Sequence, residues 1–158
     1  MTRTKESVVA LIREAFRDVS LGNGYGLRKA EALDHYGDVY TRERAELDEK
    51  EKAEGWQSLQ AKNLDKYHNA LVFFDPEGMR FHLPAYMIYD LEEFFKFADM
   101  RLYLSFGSDH KYKQFSLLTP EQRNAVREFL LYVKDEMDEG VFGYSDIQAT
   151  LKSYWTPE

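Results

Sequence analysis

The sequence predicts a mainly α-helical, single-domain, bundle-like fold with a kinked central helix and at most one short β segment. Three observations predict it. Apolar residues recur at spacings of three and four in the longer segments, which is the signature of helices with one buried face. Asp75-Pro76-Glu77 and Thr119-Pro120-Glu121-Gln122 each join an N-cap residue to a proline at the first helical position and an acid in the first turn. A chain of 158 residues with 44% hydrophobic content can build one continuous core, and no repeat or low-complexity linker divides it.

Val8, Leu11, Ile12, Ala15, Phe16 and Val19 share one face of a first helix, with Thr4 or Ser7 as its cap. It ends at the glycine-rich stretch 20–26, where Gly22, Gly24 and Gly26 favour a loop. Leu27 to Tyr36 can make a short helix, broken at Gly37. From Thr41 to Glu54 only Ala45, Leu47 and Ala53 interrupt a run of polar, mostly charged residues. This segment reads as an exposed, weakly anchored helix supported by a Glu46–Lys50 pair.

Apolar patterning resumes at Trp56, Leu59 and Leu64, and the run Ala70 to Phe74 is read as helical. The helix starting at Asp75-Pro76 has to kink or restart at Pro84, which has no N–H and crowds the carbonyl of Arg80. Beyond it Met87, Leu91, Phe94 and Ala98 form an apolar line, widened by Ile88 and Phe95, so this is the expected central helix. Leu102 to Phe106 is the one plausible strand region, and 107–111 reads as a loop. Gln122 can close a capping box with Thr119, and the helix that follows buries Val126, Phe129, Leu130 and Val133. It ends in Asp135, Glu136, Asp138 and Glu139, carboxylates that oppose the helix dipole and suit a cation or a basic partner. A last helix, capped by Ser145, carries Ile147, Leu151 and Tyr154 up to Trp155.

Composition removes several classes of chemistry. The chain has no cysteine, which excludes disulfides, thiolate nucleophiles and cysteine-ligated metals and fits the cytosol. The stretch Val8 to Ile12 is too closely flanked by charge for a secretory segment, and no apolar run approaches the ~20 residues of a membrane span, so a soluble cytoplasmic protein is expected. A net charge of −7 and the lack of a basic stripe argue against nucleic acid and favour encounter with a basic partner.

The order Trp56-x-x-Leu59, then Pro76-Glu77-x-x-Arg80-Phe81-x-Leu83-Pro84-Ala85-Tyr86, then Thr119-Pro120-Glu121-Gln122 resembles an uncharacterised bacterial family of unknown function. The resemblance spans about two thirds of the chain and rests mostly on Arg80 to Tyr86. It implies a compact bacterial cytosolic domain and carries no catalytic residue or cofactor. The glycine-rich loop and the charged helix 41–54 depart from what the resemblance leads one to expect.

Candidate sites follow from residue chemistry. The histidines His35, His68, His82 and His110 show no paired-ligand spacing, so no metal is expected. Asp34, His35 and Asp38 include neighbours that diverge by about 100° on a helix. The glycine-rich loop follows a helix and lacks the Lys-Ser/Thr pair of a phosphate-binding loop. No Gly-x-Ser-x-Gly elbow appears, and adjacent acids such as Glu92-Glu93 or Asp135-Glu136 diverge, unlike a glycosidase pair. Arg80, His82, Tyr86, Tyr89 and Asp90 are the best polar constellation, because their spacing aligns them along one helix beside Pro84. They either line a groove for acid–base or anion-binding work or serve only to bridge helices.

Two functions are therefore carried forward. The leading one is a non-enzymatic binding domain that engages a basic protein, as an immunity or antitoxin protein would, through the acids Glu43, Glu46, Glu49, Asp135, Glu136, Asp138 and Glu139 with aromatic anchors between them. The alternative is an enzyme or small-ligand binder with a pocket around Arg80, His82, Tyr86 and Tyr89. No cofactor is expected in either case.

Overall fold

The computed structural model describes residues 2–35 and 39–157. Among them it is mainly α-helical, with nine α-helices, two 3-10 turns and no strand. The helix expected from Leu27 to Tyr36 already ends at Leu33, with Asp34 and His35 in a turn, while the expected break at Gly37, and Asp38 as a companion of Asp34 and His35, lie outside the described residues.

Helix α1 (Lys5–Ala15) opens with Thr4 and Ser7 together, each side chain accepting the other's backbone N–H at 3.0 Å. It stops before Val19 because Phe16 turns into the core and its carbonyl accepts the indole N–H of Trp56 at 2.8 Å. Helices α2 (Leu27–Leu33) and α3 (Arg42–Glu54) pack on each other. A 3-10 turn at Trp56–Ser58, α4 (Ala61–Lys66) and a second 3-10 turn at His68–Phe73 lead into α5 (Pro76–Leu91). Residues 70–74 are thus helical, in the tighter 3-10 form.

Helix α5 is the central element, and every residue from Phe81 to Ile88 is buried. It continues as one helix across Pro84 without restarting, since burial on all sides holds the two halves together despite the missing N–H. It ends at Leu91, so Phe94 leaves the expected apolar line and stands 61% exposed. The termination is a Schellman motif: Glu93 N–H donates to Asp90 O at 3.0 Å and Phe94 N–H to Tyr89 O at 3.1 Å. The left-handed position falls on Glu93, at φ 61°. Glycine is the usual residue there, and its absence hides this helix end in the sequence.

The region expected to be a strand is helix α6 (Met100–Ser105), and the expected loop after it holds α7 (Asp109–Gln114). Both begin with an N-cap, Asp99 and Ser108, whose side chains accept N–H groups three residues on. Helix α8 (Pro120–Asp135) has the expected capping box. Helix α9 (Tyr144–Ser153) starts after the left-handed Gly143, one residue ahead of Ser145, which lies inside it and does not cap it. One apolar cluster joins α1, α5, α8 and α9, with Trp56, Tyr86, Phe129 and Trp155 among its largest members.

The charged helix α3 is not the loosely held element its composition suggests. Its anchor is Asp48, 5% exposed, which receives Arg28 N–H and Lys29 N–H at 3.0 Å on separate carboxylate oxygens. It also accepts the Tyr40 hydroxyl at 3.1 Å and meets the buried guanidinium of Arg28, which binds Glu51 at 2.6 Å. The apolar Leu47 instead faces solvent. Glu46 pairs with Arg42, and Lys50 with Glu54, so the expected Glu46–Lys50 pair does not form. Burial pushes the Tyr40 hydroxyl up to about 12, with Asp48 adding to it. Burial also raises Glu51, against the pull of Arg28.

The glycine-rich loop is explained by the same contacts. A Cβ on Gly26 would stand 2.5 Å from Asp48 Cγ, and one on Gly24 would stand 2.7 Å from Gly78 N at the start of α5. The backbone approaches both elements this closely because no side chain intervenes. Asp48→Ala is expected to lower the unfolding free energy by about 3–5 kcal/mol, because it leaves a buried charge and two helix-end N–H groups short of partners. The check is the urea midpoint at constant m-value, and a loss below about 1 kcal/mol would contradict the assignment.

Candidate functional site

The five residues Arg80, His82, Tyr86, Tyr89 and Asp90 share α5 but do not converge on one groove. His82 is sealed in the core, stacked on Phe74 with centroids 4.2 Å apart. Its Nδ1 meets Gly78 O at 2.7 Å, one turn back, and not the Arg80 carbonyl that Pro84 leaves without a helical donor. Burial drives its pKa down to about 4, so the neutral ring is the species at pH 7. Tyr86 is fully buried, and its hydroxyl donates to Leu64 O at 3.2 Å. The Tyr89 hydroxyl donates to Leu59 O at 2.6 Å. Asp90 accepts Met100 N–H at 2.9 Å and so helps to start α6. Arg80, Tyr89 and Asp90 border three different cavities.

One of these cavities brings together members of both candidate sets. A cleft of about 580 Å³ lies between the α5–α6 connection and the end of α8, and Asp90, Glu93, Asp99 and Glu136 all line it. Lys96 and Arg101 line it as well, Arg101 paired with Asp99 at 3.4 Å, and Phe95, Phe129, Val133 and Met137 contribute apolar lining. Phe97 stands on its wall, 67% exposed, with one face stacked against His68.

Asp65, a residue no sequence pattern marks, shapes this cleft. One of its oxygens accepts Phe97 N–H and Ala98 N–H at 2.8 and 3.0 Å, and the other accepts Lys96 N–H at 3.1 Å. These three bonds outweigh the effect of burial and hold its pKa below the ordinary value. They also fix the connection 96–98 as one wall of the cleft. The opposite wall is the end of α8, where Tyr132 is pushed up by burial and then by the Glu136 carboxylate.

The remaining candidate acids divide. Asp135 is held at 3.1 Å by Arg3, which also binds Glu128, so the dipole-opposing end of α8 carries its own cation. Asp138 and Glu139 are exposed in the turn before α9. Glu43 and Glu46 lie exposed on α3, and Glu49 borders the cavity beside the glycine-rich loop. Helix α3 packs against α2 and the 56–58 turn, whereas α8 packs against α1 and α9. The two acidic segments therefore pack against different elements.

The phosphate-cradle reading of the glycine-rich loop has a structural answer. The N–H groups at the start of α2 that would greet a phosphate are already occupied by the Asp48 carboxylate. Among the described residues no group of three or more His, Asp or Glu side chains is arranged to hold a metal ion. No helix among them is long and apolar enough to cross a membrane.

Burial raises the pKa of Asp90 from 3.8 to about 6, with Asp99 adding to the rise while the Met100 N–H and Arg101 work against it. The folded form thus keeps a proton that the unfolded chain loses, and stability falls as pH rises from about 4 through about 6. Ionisation costs on the order of 3 kcal/mol above that window. Asp90→Asn, which still accepts the Met100 N–H, is expected to raise the melting temperature at pH 8 and to lose that advantage toward pH 4. A pH-independent difference in calorimetry would count against it.

Compared with known families, residues 4–158 match the model of a family of unknown function, DUF6714. Neither the curated proteins nor the solved structures contain a match.

Proposed function

The chain belongs to DUF6714, a family of unknown function, so its activity has to be read from its own surface, and we propose that it is a non-enzymatic binding domain whose acidic cleft takes a basic segment of another protein. The observation that carries this is the cleft itself, where Asp90, Glu93 and Glu136, together with an Asp99 paired to Arg101, line the same space as Phe95, Val133 and Met137 beside the exposed ring of Phe97. A lysine or arginine side chain matches both parts, its stem lying on apolar surface and its head among carboxylates. Aromatic anchors beside charge are the usual composition of an interface centre. Phe94, which packs edge-on against Tyr89, extends the apolar surface next to Glu93.

Glu93 adds a second line of support. It holds a left-handed conformation that costs a non-glycine residue roughly 1–2 kcal/mol, and it does so at the mouth of the cleft. The strained position thus places a carboxylate, where glycine would be more stable, in the lining of the cleft. The net charge of −7 steers a basic partner toward the domain, and the cysteine-free composition suits a bacterial cytosol. The other reading, a ligand pocket around Arg80, His82, Tyr86 and Tyr89, draws no support from a shared cavity.

The test is affinity purification from the native cells, with wild type beside a Glu93→Lys/Glu136→Lys double variant, at low and high salt. Wild type is expected to retain a basic protein that is released at high salt and missing from the variant. Identical protein sets with both baits would overturn the reading. Glu93→Gly separates stability from binding. It is expected to stabilise the fold by about 0.5 kcal/mol, the left-handed cost less the entropy glycine gains when unfolded, while weakening capture of the same protein. A variant that is less stable would refute the strain at this position.

A further inference from the structure

We propose that Arg80 binds a small monocarboxylate in a cavity separate from the acidic cleft. The cavity is about 280 Å³ and is bordered by Arg80, Glu14, Asp18, Ser20 and Gln122, at the junction of α5 with the end of α1 and the start of α8. Other buried or partly buried arginines are satisfied: Arg28 by Asp48 and Glu51, Arg3 by Glu128 and Asp135, Arg127 by the carbonyls of Leu151 and Trp155. Arg80 is the exception among the partly buried ones. Its Nε is shut away from solvent with no hydrogen-bond partner, and no ion pair or hydrogen bond joins its guanidinium to another described residue.

A guanidinium that has lost part of its hydration without gaining a counter-charge is disfavoured, and it attracts an anion more strongly than a fully solvated arginine does. With Nε sealed against the protein, the terminal nitrogens are the edge left to a ligand. Their paired N–H groups match the two oxygens of a carboxylate.

The acids on the rim do not cancel this site, because Arg17 engages both. Its Nη1 lies 3.1 Å from each Glu14 oxygen, and its Nε lies 3.7 Å from Asp18. Two guanidiniums and two carboxylates leave the local balance near zero, whatever the net charge of the whole chain. That balance selects among anions, since a phosphate dianion meets more repulsion from Glu14 and Asp18 than a monocarboxylate does. The wall is stiff, because the Gln122 amide is committed at both ends, donating to Ala15 O at 3.2 Å and accepting Thr119 N–H at 3.0 Å. Ser20 brings a hydroxyl to the same cavity. The concavity, about 280 Å³ and open to solvent, has room for an acid of a few carbons.

The experiment is an NMR titration of the arginine side-chain N–H resonances of the whole protein with acetate, propionate and inorganic phosphate at constant ionic strength, using chloride as the baseline. The expected result is a saturable shift of Arg80 with acetate or propionate, a weaker response to phosphate, and none at the exposed Arg13 and Arg17. Arg80→Lys, which keeps the charge but not the paired N–H groups, is expected to weaken binding about tenfold in calorimetry, and Arg80→Gln to abolish it. An unmoved Arg80 resonance would assign the cavity to water and overturn the proposal. An equal response at Arg13 and Arg17, or a stronger one to phosphate, would overturn it as well. The wild-type titration decides the matter even if a variant fails to fold.

Discussion

Every α-helix ends with backbone N–H and C=O groups that have no partner within it, and a fold built from many short helices multiplies such ends. Among the described residues five of the nine α-helices have ten residues or fewer, and several of their ends are closed by side chains from other elements. The structure meets this demand with side chains sent from far along the chain. Trp56 closes the end of α1 through Phe16 O, and Trp155 does the same for α6 through Leu104 O. Gln114 donates to Leu71 O and Phe74 O at the end of the second 3-10 turn. Tyr86 and Tyr89 reach the carbonyls of Leu64 and Leu59, and Asp48 and Asp90 receive the first N–H groups of α2 and α6.

This demand decides which polar residues are left over for function. Titratable side chains spaced along one helix look like a site, yet in α5 two tyrosine hydroxyls and a carboxylate serve helix ends, and His82 turns back onto its own helix. A buried hydroxyl that lost its carbonyl would cost about 1–3 kcal/mol, so these groups are not free to leave for a substrate. Of the acids that line the cleft, Asp90 and Asp99 serve the start of α6, whereas Glu93 and Glu136 take no part in closing a helix end through their side chains. The acidic cleft forms between them.

The glycine-rich loop and the charged helix α3 show the same economy. A run of charged residues with almost no apolar side chain would normally dissociate, because it buries little surface. One aspartate on it replaces the apolar stripe by serving as the remote cap of α2 and the counter-ion of a buried arginine. The loop must be glycine-rich for the backbone to reach that aspartate. Charge here acts in part as an internal fastening, through Asp48 and its partners.

The sequence by itself determined the helical class, the starts at Asp75 and Thr119 and near Thr4 and Ser7, and the apolar faces of α1, α8 and α9, because caps and periodicity act within a few residues. It also determined what chemistry is absent, since a chain without cysteine cannot build the sites that need one. Only the tertiary structure decided that α5 stops at Leu91 on a left-handed Glu93, that 100–105 is helix, and that Asp65 and Asp48 matter. Each of those outcomes rests on a partner 10 to 33 positions away or on a conformation the local sequence disfavours. Asp90 and Glu136 were legible as candidates separately, as an acid beside tyrosines and an acid against a dipole. That they face one cleft follows from how α5 and α8 end side by side, and no local pattern encodes that distance.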